Sequence, residues 1–359
     1  MQQPRQLGCM VNKTFVRKMF MIGAQATGLT LVSRALLGGM GGVLMLHRVS
    51  PPINGSGINN FLCVTPQFVD QLLHSLKGDG FIFVSLDECV DRLKGGHSDQ
   101  RFLSVTLDDG YRDNMIAAAP VFRAHEIPFT IYVCPGFVEG TAHLWWDILA
   151  NIISKQDRIA FNAKDGRVVL TCKTRIQKHA VYSQIIDHVT RDLDEETQRR
   201  FVCDLGDAYA VDCVQYTRDA ILPWSDLREL SKDPLCTIGA HTLNHYHLAR
   251  LPEEQARTEI EESGQVIGAE LGKVPEHFAY PYGGPIAVGK REVRIAKEAG
   301  YTTAVTTRHG LLRANHGNHL HAIPRVSLNG NYQRSHYVRT MLSGITVPAS
   351  NFGRLTVTV

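Results

Sequence analysis

The chain has no Cys-x-x-Cys pair. Its eight cysteines are scattered, and only Cys203 and Cys213 fall near each other. That scatter excludes a zinc ribbon and a disulfide framework and reads as buried, reduced thiols. The chain also lacks a dominant charge. Its 38 basic and 35 acidic residues leave a formal +3, too weak a field to point to a nucleic-acid partner. It has no internal repeat and no low-complexity tract. With 44% apolar and 20% charged residues, disordered, collagen-like and coiled-coil classes are excluded. Its 359 residues suffice for one large domain or two small ones.

The most telling absence is local. Residues 1–50 hold no Asp or Glu, yet they carry Arg5, Lys13, Arg17, Lys18, Arg34 and Arg48. The uncharged run Met19–Ser33 is fifteen residues long, short of the roughly twenty that span a bilayer. Two readings compete. A basic stretch before an apolar run is how a signal peptide begins. Alternatively, Phe15, Met19, Ile22 and Ala26 recur at helical spacing and make residues 1–40 a basic amphipathic segment, lying on the domain or on an anionic membrane surface. Gln25, Thr27 and Thr30 interrupt the apolar run, and unpaired cysteines suit a reducing compartment. The expectation is therefore a retained segment on a cytoplasmic, membrane-peripheral protein, with export through a cleaved signal peptide as the alternative.

What the chain does have is histidine, sixteen of them, and an α/β rhythm from Gly41 onward. Apolar strand candidates are Val43–Leu46, Phe81–Val84, Phe102–Leu107, Phe129–Val133, Thr237–Ala240, the Phe278 segment and Thr303–Val305. Helical patterns separate them: one opened by Thr65-Pro66, one around Met115–His125, one from Trp224, one over Pro252–Leu271 and one over Lys290–Ala299. Residues 143–222 break the rhythm. They carry a hairpin pattern (Ile159–Phe161 with Val168–Thr171, turning at Lys164-Asp165-Gly166) and charged helical stretches such as Asp192–Asp207. They read as an inserted α+β segment without a chemical signature.

Several of the strands end in reactive residues: His47, Asp108-Asp109, His241 and Tyr280-Pro281-Tyr282-Gly283. In barrel-like α/β folds the site is assembled at the carboxyl ends of the strands. Asp108 and Asp109 are adjacent, and Gly110 loosens the backbone so that both can reach one pocket, one as a cation ligand and the other as a base. A surface turn accounts for Asp-Asp-Gly equally well. His241 and His245 stand at i and i+4, which on a helical turn puts both imidazoles on one face. Two histidines with one aspartate and open positions make a catalytic rather than a closed metal site. His247 and His277 read as structural or solvent-facing.

Together these residues resemble the polysaccharide deacetylase pattern, the NodB-homology or carbohydrate esterase 4 family. Thr106-Leu107-Asp108-Asp109-Gly110 resembles its first motif, with Leu in place of Phe. His241-Thr242-x-x-His245-x-x-Leu248 resembles the second, and Phe278-Ala279-Tyr280-Pro281-Tyr282-Gly283 the third. The resemblance covers about residues 41–142 and 223–330. It implies a distorted (β/α)7 barrel with an inserted α+β segment, and metal-dependent removal of N-acetyl groups from amino sugars of a bacterial-type glycan. It gives Asp109, His241 and His245 as ligands of a divalent metal, zinc by expectation, Asp108 as general base, and the Tyr282 N–H as an oxyanion donor.

The third motif's usual Arg is Ala279 here, and the family's fourth motif is not recognisable near Thr303–His309. In the branch acting on poly-N-acetylglucosamine the acid histidine lies early, and Leu46-His47-Arg48-Val49 resembles that segment. Pro324-Arg325-Val326 resembles a late segment whose Arg replaces the missing one. His47 is thus the expected acid and Arg325 the expected partner of Asp108. Tyr111, Trp145, Trp146 and Tyr280 are candidates for stacking on sugar rings, core packing being the expected fate of at least half. The expected layout is a segment 1–40, a barrel of 41–142 and 223–340, an insertion 143–222 and a tail 341–359. The partners expected are an N-acetylated glycan and an anionic membrane surface, with no nucleic acid. A small-amide or ureide hydrolase and an inactive glycan-binding module are the rival classes.

Overall fold

A computed structural model describes residues 5–51, 57–163 and 166–359. Seven parallel strands form its centre: β1 (Gly41–Leu46), β2 (Phe102–Leu107), β3 (Phe129–Val133), β4 (Cys236–Ala240), β5 (His277–Ala279), β6 (Thr303–His309) and β7 (Ile323–Ser327). β1 pairs with β2 from Gly41↔Phe102 to Leu46↔Leu107 and with β7 at Leu44↔Val326, so the ring closes. This is the (β/α)7 barrel the motifs imply. Strands covered on both faces need near-continuous apolar runs, and β1, β2 and β3 are buried at every position. Gly41 is required by closure: a Cβ there would stand 2.1 Å from the Phe102 carbonyl oxygen.

The Phe81–Val84 run is only partly a strand. Ile82–Phe83 pairs with the first residues of β2, on the edge that β3 takes further along, and so stays outside the ring. The helix opened by Thr65 runs Pro66–Gly78, with the Thr65 hydroxyl accepting from the Phe68 N–H.

Residues 143–222 contain helices Trp145–Lys155, Arg175–Arg191, Glu195–Ala208 and Cys213–Ala220 and an antiparallel hairpin of Arg158–Ala163 with Gly166–Thr171. Lys164 and Asp165, expected at its turn, lie outside the described residues. The segment has its own apolar core, including Ile148, Leu149, Ile152, Ile185, Val189 and Leu205. It rejoins the barrel beside the β2 turn, where the Leu222 N–H donates to the Gly110 carbonyl at 3.0 Å.

At the N-terminus, helices Arg5–Ala26 and Leu29–Leu37 meet at Gly28 (φ 71°), bent by 95° between Thr14–Ala26 and Leu29–Leu37. No single helix among the described residues is long and apolar enough to cross a membrane. The C-terminal residues pack back onto the barrel: Val357 is buried, and its carbonyl accepts from His316 Nε2 at 3.1 Å.

Candidate active site

Both carboxylates reach the barrel mouth because the strand ends in a left-handed turn. The Asp108 N–H extends the ladder to the Leu46 carbonyl at 3.0 Å. Asp109 (φ 73°) and Gly110 (φ 72°) then turn the chain, which cancels the alternation that would send adjacent side chains to opposite faces. Thr242, His245 and Tyr282 are also non-glycine residues at positive φ, with values of 59°, 58° and 61°. Strain of this kind costs about 1–3 kcal/mol per residue and persists where the surroundings enforce it. Here it collects at one mouth.

The two aspartates are neighbours in sequence but face different partners. Asp108 is gripped by Arg325 through two bonds of 2.7 Å, Nη1 to Oδ1 and Nη2 to Oδ2. Arg325 comes from β7, its side chain wholly buried, with Nε donating to the Thr306 carbonyl at 2.9 Å and Nη1 to the Thr106 hydroxyl at 3.1 Å. It supplies Asp108 with the guanidinium partner that Ala279 cannot. Burial pushes the Asp108 carboxyl up, but the charge and hydrogen bonds of Arg325 outweigh it and hold the carboxyl below the usual carboxylate range. His47, just past the end of β1, sets its Nε2 4.0 Å from Asp108 Oδ2.

Asp109 faces the histidines. Its Oδ1 lies 3.4 Å from His241 Nε2 and 3.3 Å from His245 Nε2, and all three residues are buried. These separations are long for charge-assisted hydrogen bonds. They match the edge of a tetrahedron around a cation with bonds near 2.0–2.1 Å, about 3.3 Å. His241 Nδ1–H donates to the Ala279 carbonyl at 2.7 Å, which leaves Nε2 with its lone pair toward Asp109. Burial, only partly offset by Asp109, pushes the His245 imidazole down to about 4, so it is neutral at neutral pH, as a ligand must be. The donor set therefore fits a divalent cation.

The histidine pair is not on a helical turn, as its i, i+4 spacing suggested. Residues 241–247 are irregular, and the two left-handed residues fold His245 back so that its N–H donates to the Thr242 hydroxyl at 2.9 Å. Tyr282 follows β5. Its N–H enters no hydrogen bond among the described residues, while its carbonyl accepts from the Thr307 hydroxyl at 2.7 Å.

Of the stacking candidates only Trp146 is part-exposed where it lines the cavity above the carboxylates. Trp145 borders the same cavity but is buried in the core of residues 143–222, and Tyr111 and Tyr280 are fully buried. The Tyr280 hydroxyl donates to the His321 carbonyl. Tyr111 belongs to a buried relay in which Trp146 Nε1 donates to the Tyr111 hydroxyl, which in turn donates to Asp147 Oδ2, both at 3.0 Å. Asn59 Nδ2 donates to Asp147 Oδ1 at 2.6 Å, and Arg48 bonds Asp113 at 2.8 Å while lying over the Tyr111 ring. Sequence reasoning missed Asp147, Asn59, Arg48 and Asp113. The one available signal was an acidic residue directly after two tryptophans. His277 is structural, between Thr303 and Asp87, and His247 is half-buried against Tyr282. The seven described cysteines with side chains in view are free thiols.

Residues 95–304 match the family model for polysaccharide deacetylase. No curated relative matches the chain. Solved structures sharing the fold include the Streptococcus pyogenes deacetylase PplD with acetate, at 19% identity and TM-score 0.55, covering 84% of this chain and 97% of that one. IcaB from Ammonifex degensii aligns at 18% identity and TM-score 0.52, covering 84% and 97%. A de-N-acetylase from Aggregatibacter actinomycetemcomitans aligns at 15% identity and TM-score 0.52, covering 84% and 99%. With the family model spanning more than half of its length, this chain belongs to the polysaccharide deacetylase family and is a hydrolase.

Proposed function

We propose that the protein is a metal-dependent N-deacetylase acting on acetylated amino sugars of a bacterial-type poly- or oligosaccharide, of the poly-N-acetylglucosamine kind. The observation that carries this reading is the division of labour between adjacent carboxylates: Asp109 beside two neutral-capable imidazoles, Asp108 beside a buried guanidinium. Asp109, His241 and His245 would hold the cation, zinc on the donor set of two nitrogens and one oxygen. Such an ion supplies a water of lowered pKa and polarises the acetyl carbonyl.

The chain's own residues do the rest. Asp108, kept ionised by Arg325, accepts the proton of the attacking water. The unengaged N–H of Tyr282 donates to the oxygen that gains negative charge. His47, part-exposed and near Asp108, delivers a proton to the departing amine, which is too basic to leave as an anion. Trp146 offers flat apolar surface to a sugar ring. An intact Asp-His-His cluster beside a paired base favours catalysis over a binding-only module. A cavity of about 1290 Å³ favours an extended glycan over a small ureide.

The same proposal places the protein in the cytoplasm, peripheral to a membrane, with export as the alternative; the mass of the mature N-terminus separates the two. The reaction is tested by acetate release from N-acetylglucosamine oligomers set against aryl acetates. His47→Ala should slow the amides far more than the esters, whose leaving groups need no proton. Equal losses on both would assign His47 a structural role.

A further inference from the structure

The exposed face of the N-terminal helices is apolar rather than basic. Val16, Met19, Phe20 and Ile22 on the first helix and Leu31 and Leu36 on the second are 43–72% exposed. Two basic side chains of the first helix turn inward: Arg17 and Lys18 lie over the Tyr332 ring, and Lys18 lines the cavity. An amphipathic helix docked only for stability would bury its apolar face on the protein. This one buries Met21 and Ala24 and leaves the larger apolar stripe uncovered. A contiguous apolar surface of this kind marks a partner or a membrane.

The cavity that ends at Asp108 and Asp109 opens at this stripe. Phe15, 62% exposed, is part of both, and Phe61 and Ile176 continue the apolar rim at 45% and 76% exposure. Between rim and floor the charged lining is Lys18 and Arg175 with one carboxylate, Asp187. No Asp or Glu occurs in residues 1–50, so no acidic side chain of that segment offsets Lys18 in the cavity. A free glycan has only small apolar ring faces flanked by hydroxyls and carries no long apolar segment to match such an entrance. A sugar joined through phosphate to a long apolar chain matches each zone: the acetamido group at the floor, the phosphate near Lys18 and Arg175, and the chain along Phe15, Phe61 and Ile176 into the lipid beside the helices.

We propose that the substrate is an N-acetylated amino sugar carried on a lipid through a phosphate or diphosphate, and that the enzyme takes it from an anionic bilayer in which the exposed stripe of the two N-terminal helices rests. This rests on the deacetylase reading and names the form in which that substrate arrives. The membrane is the single occupant proposed for the stripe, on the strength of its exposed apolar side chains and of the cavity mouth lying along it.

The test uses the full chain, vesicles of phosphatidylglycerol and phosphatidylethanolamine, N-acetylglucosaminyl diphosphoryl polyprenol in those vesicles, and the water-soluble uridine-free sugar diphosphate lacking the chain. Acetate release and vesicle flotation are both read. The lipid-borne substrate should be hydrolysed with a kcat/KM about tenfold or more above that of the soluble fragment, as burial of an apolar chain allows. Val16→Glu with Met19→Glu, both outside the cavity, should abolish flotation and cut that advantage about tenfold while the soluble fragment is hydrolysed as before. Equal rates on the two substrates, or flotation and lipid-substrate rates untouched by the double substitution, would overturn the proposal. Hydrolysis of neither substrate, nor of free oligomers, would overturn the deacetylase reading itself and this proposal with it.

Discussion

The barrel mouth and the wall above it are built on opposite terms. The mouth is a set of strand ends: Asp108, Asp109 and His241 each follow the last residue of a parallel strand, and Arg325 lies within one. Its charges are buried and paired within 3 Å or so of named partners. The wall is assembled from residues 143–222, the N-terminal helix and the 57–62 loop, and it shows the cavity tryptophan, isoleucine and phenylalanine, with Lys18, Arg175 and Asp187 among them. Chemistry comes from the closed sheet, which fixes direction. The cover above it is packed from segments that no strand order dictates.

Substitutions in the mouth should therefore cost rate, and those in the wall should cost binding. The largest effect is expected for Asp108→Asn: turnover down about a thousandfold, the usual worth of a positioned base, with metal content unchanged because Asp109 and the histidines are intact. A variant that loses its metal instead would mean that the two aspartates share one role.

Arg325→Met comes next. It strands a buried carboxylate, which costs about 3–5 kcal/mol of stability when one partner of a buried pair is removed. It also lets the Asp108 carboxyl rise, so the acidic limb of the rate profile should move to higher pH. Arg325→Lys keeps the charge without the fork and should restore part of both. An acidic limb that stays in place would show that it does not belong to Asp108.

In the wall, Trp146→Ala should raise KM for oligomers about tenfold with kcat nearly unchanged, on a stacking contribution near 1.5 kcal/mol. A fall in kcat of the same size would mean that the Trp146–Tyr111–Asp147 relay positions the mouth as well.

The smallest expected effect concerns pH and stability. Burial, with Arg17 adding to it, holds the His309 imidazole down to about 3, and burial holds His245 at about 4. Each takes up a proton in the unfolded state below about 6.5 but resists it when folded. Stability of the metal-free protein should thus fall from about pH 6.5 toward pH 4. His241 works against this, its imidazole being raised: burial lowers it, but Asp109 and Asp108 prevail. Below about 4 the lowered Asp108 and Asp109 carboxyls add their own loss. Urea midpoints against pH should flatten by roughly 1–3 kcal/mol in His309→Gln. An unchanged slope would assign the loss to other groups.

The same contrast governs what could be read before any coordinates. Strand-end chemistry is local: Thr106–Gly110 and His241–Leu248 carry their meaning in a few residues, and apolar runs such as Phe129–Val133 mark buried parallel strands directly. The approach of Arg325 to Asp108, 217 residues apart, became legible only through resemblance, since no periodicity links β2 to β7. The helical reading of His241–His245 failed because spacing alone does not distinguish a helix from a turn with two left-handed residues. The relay around Asp147 left only one faint sign in the sequence, an acidic residue directly after two tryptophans. Its members Arg48, Asn59, Tyr111 and Asp147 come from four stretches of chain, and each taken alone resembles ordinary surface polarity.

The most direct measurement is metal content read alongside acetate release, on the wild-type chain and on His245→Ala. One divalent ion per wild-type chain, its removal by chelator ending acetate release and its return restoring it, is expected, together with a folded His245→Ala protein that neither holds the ion nor releases acetate. Full acetate release by the metal-free chain, or by His245→Ala, would contradict the assignment of Asp109, His241 and His245 as the metal centre.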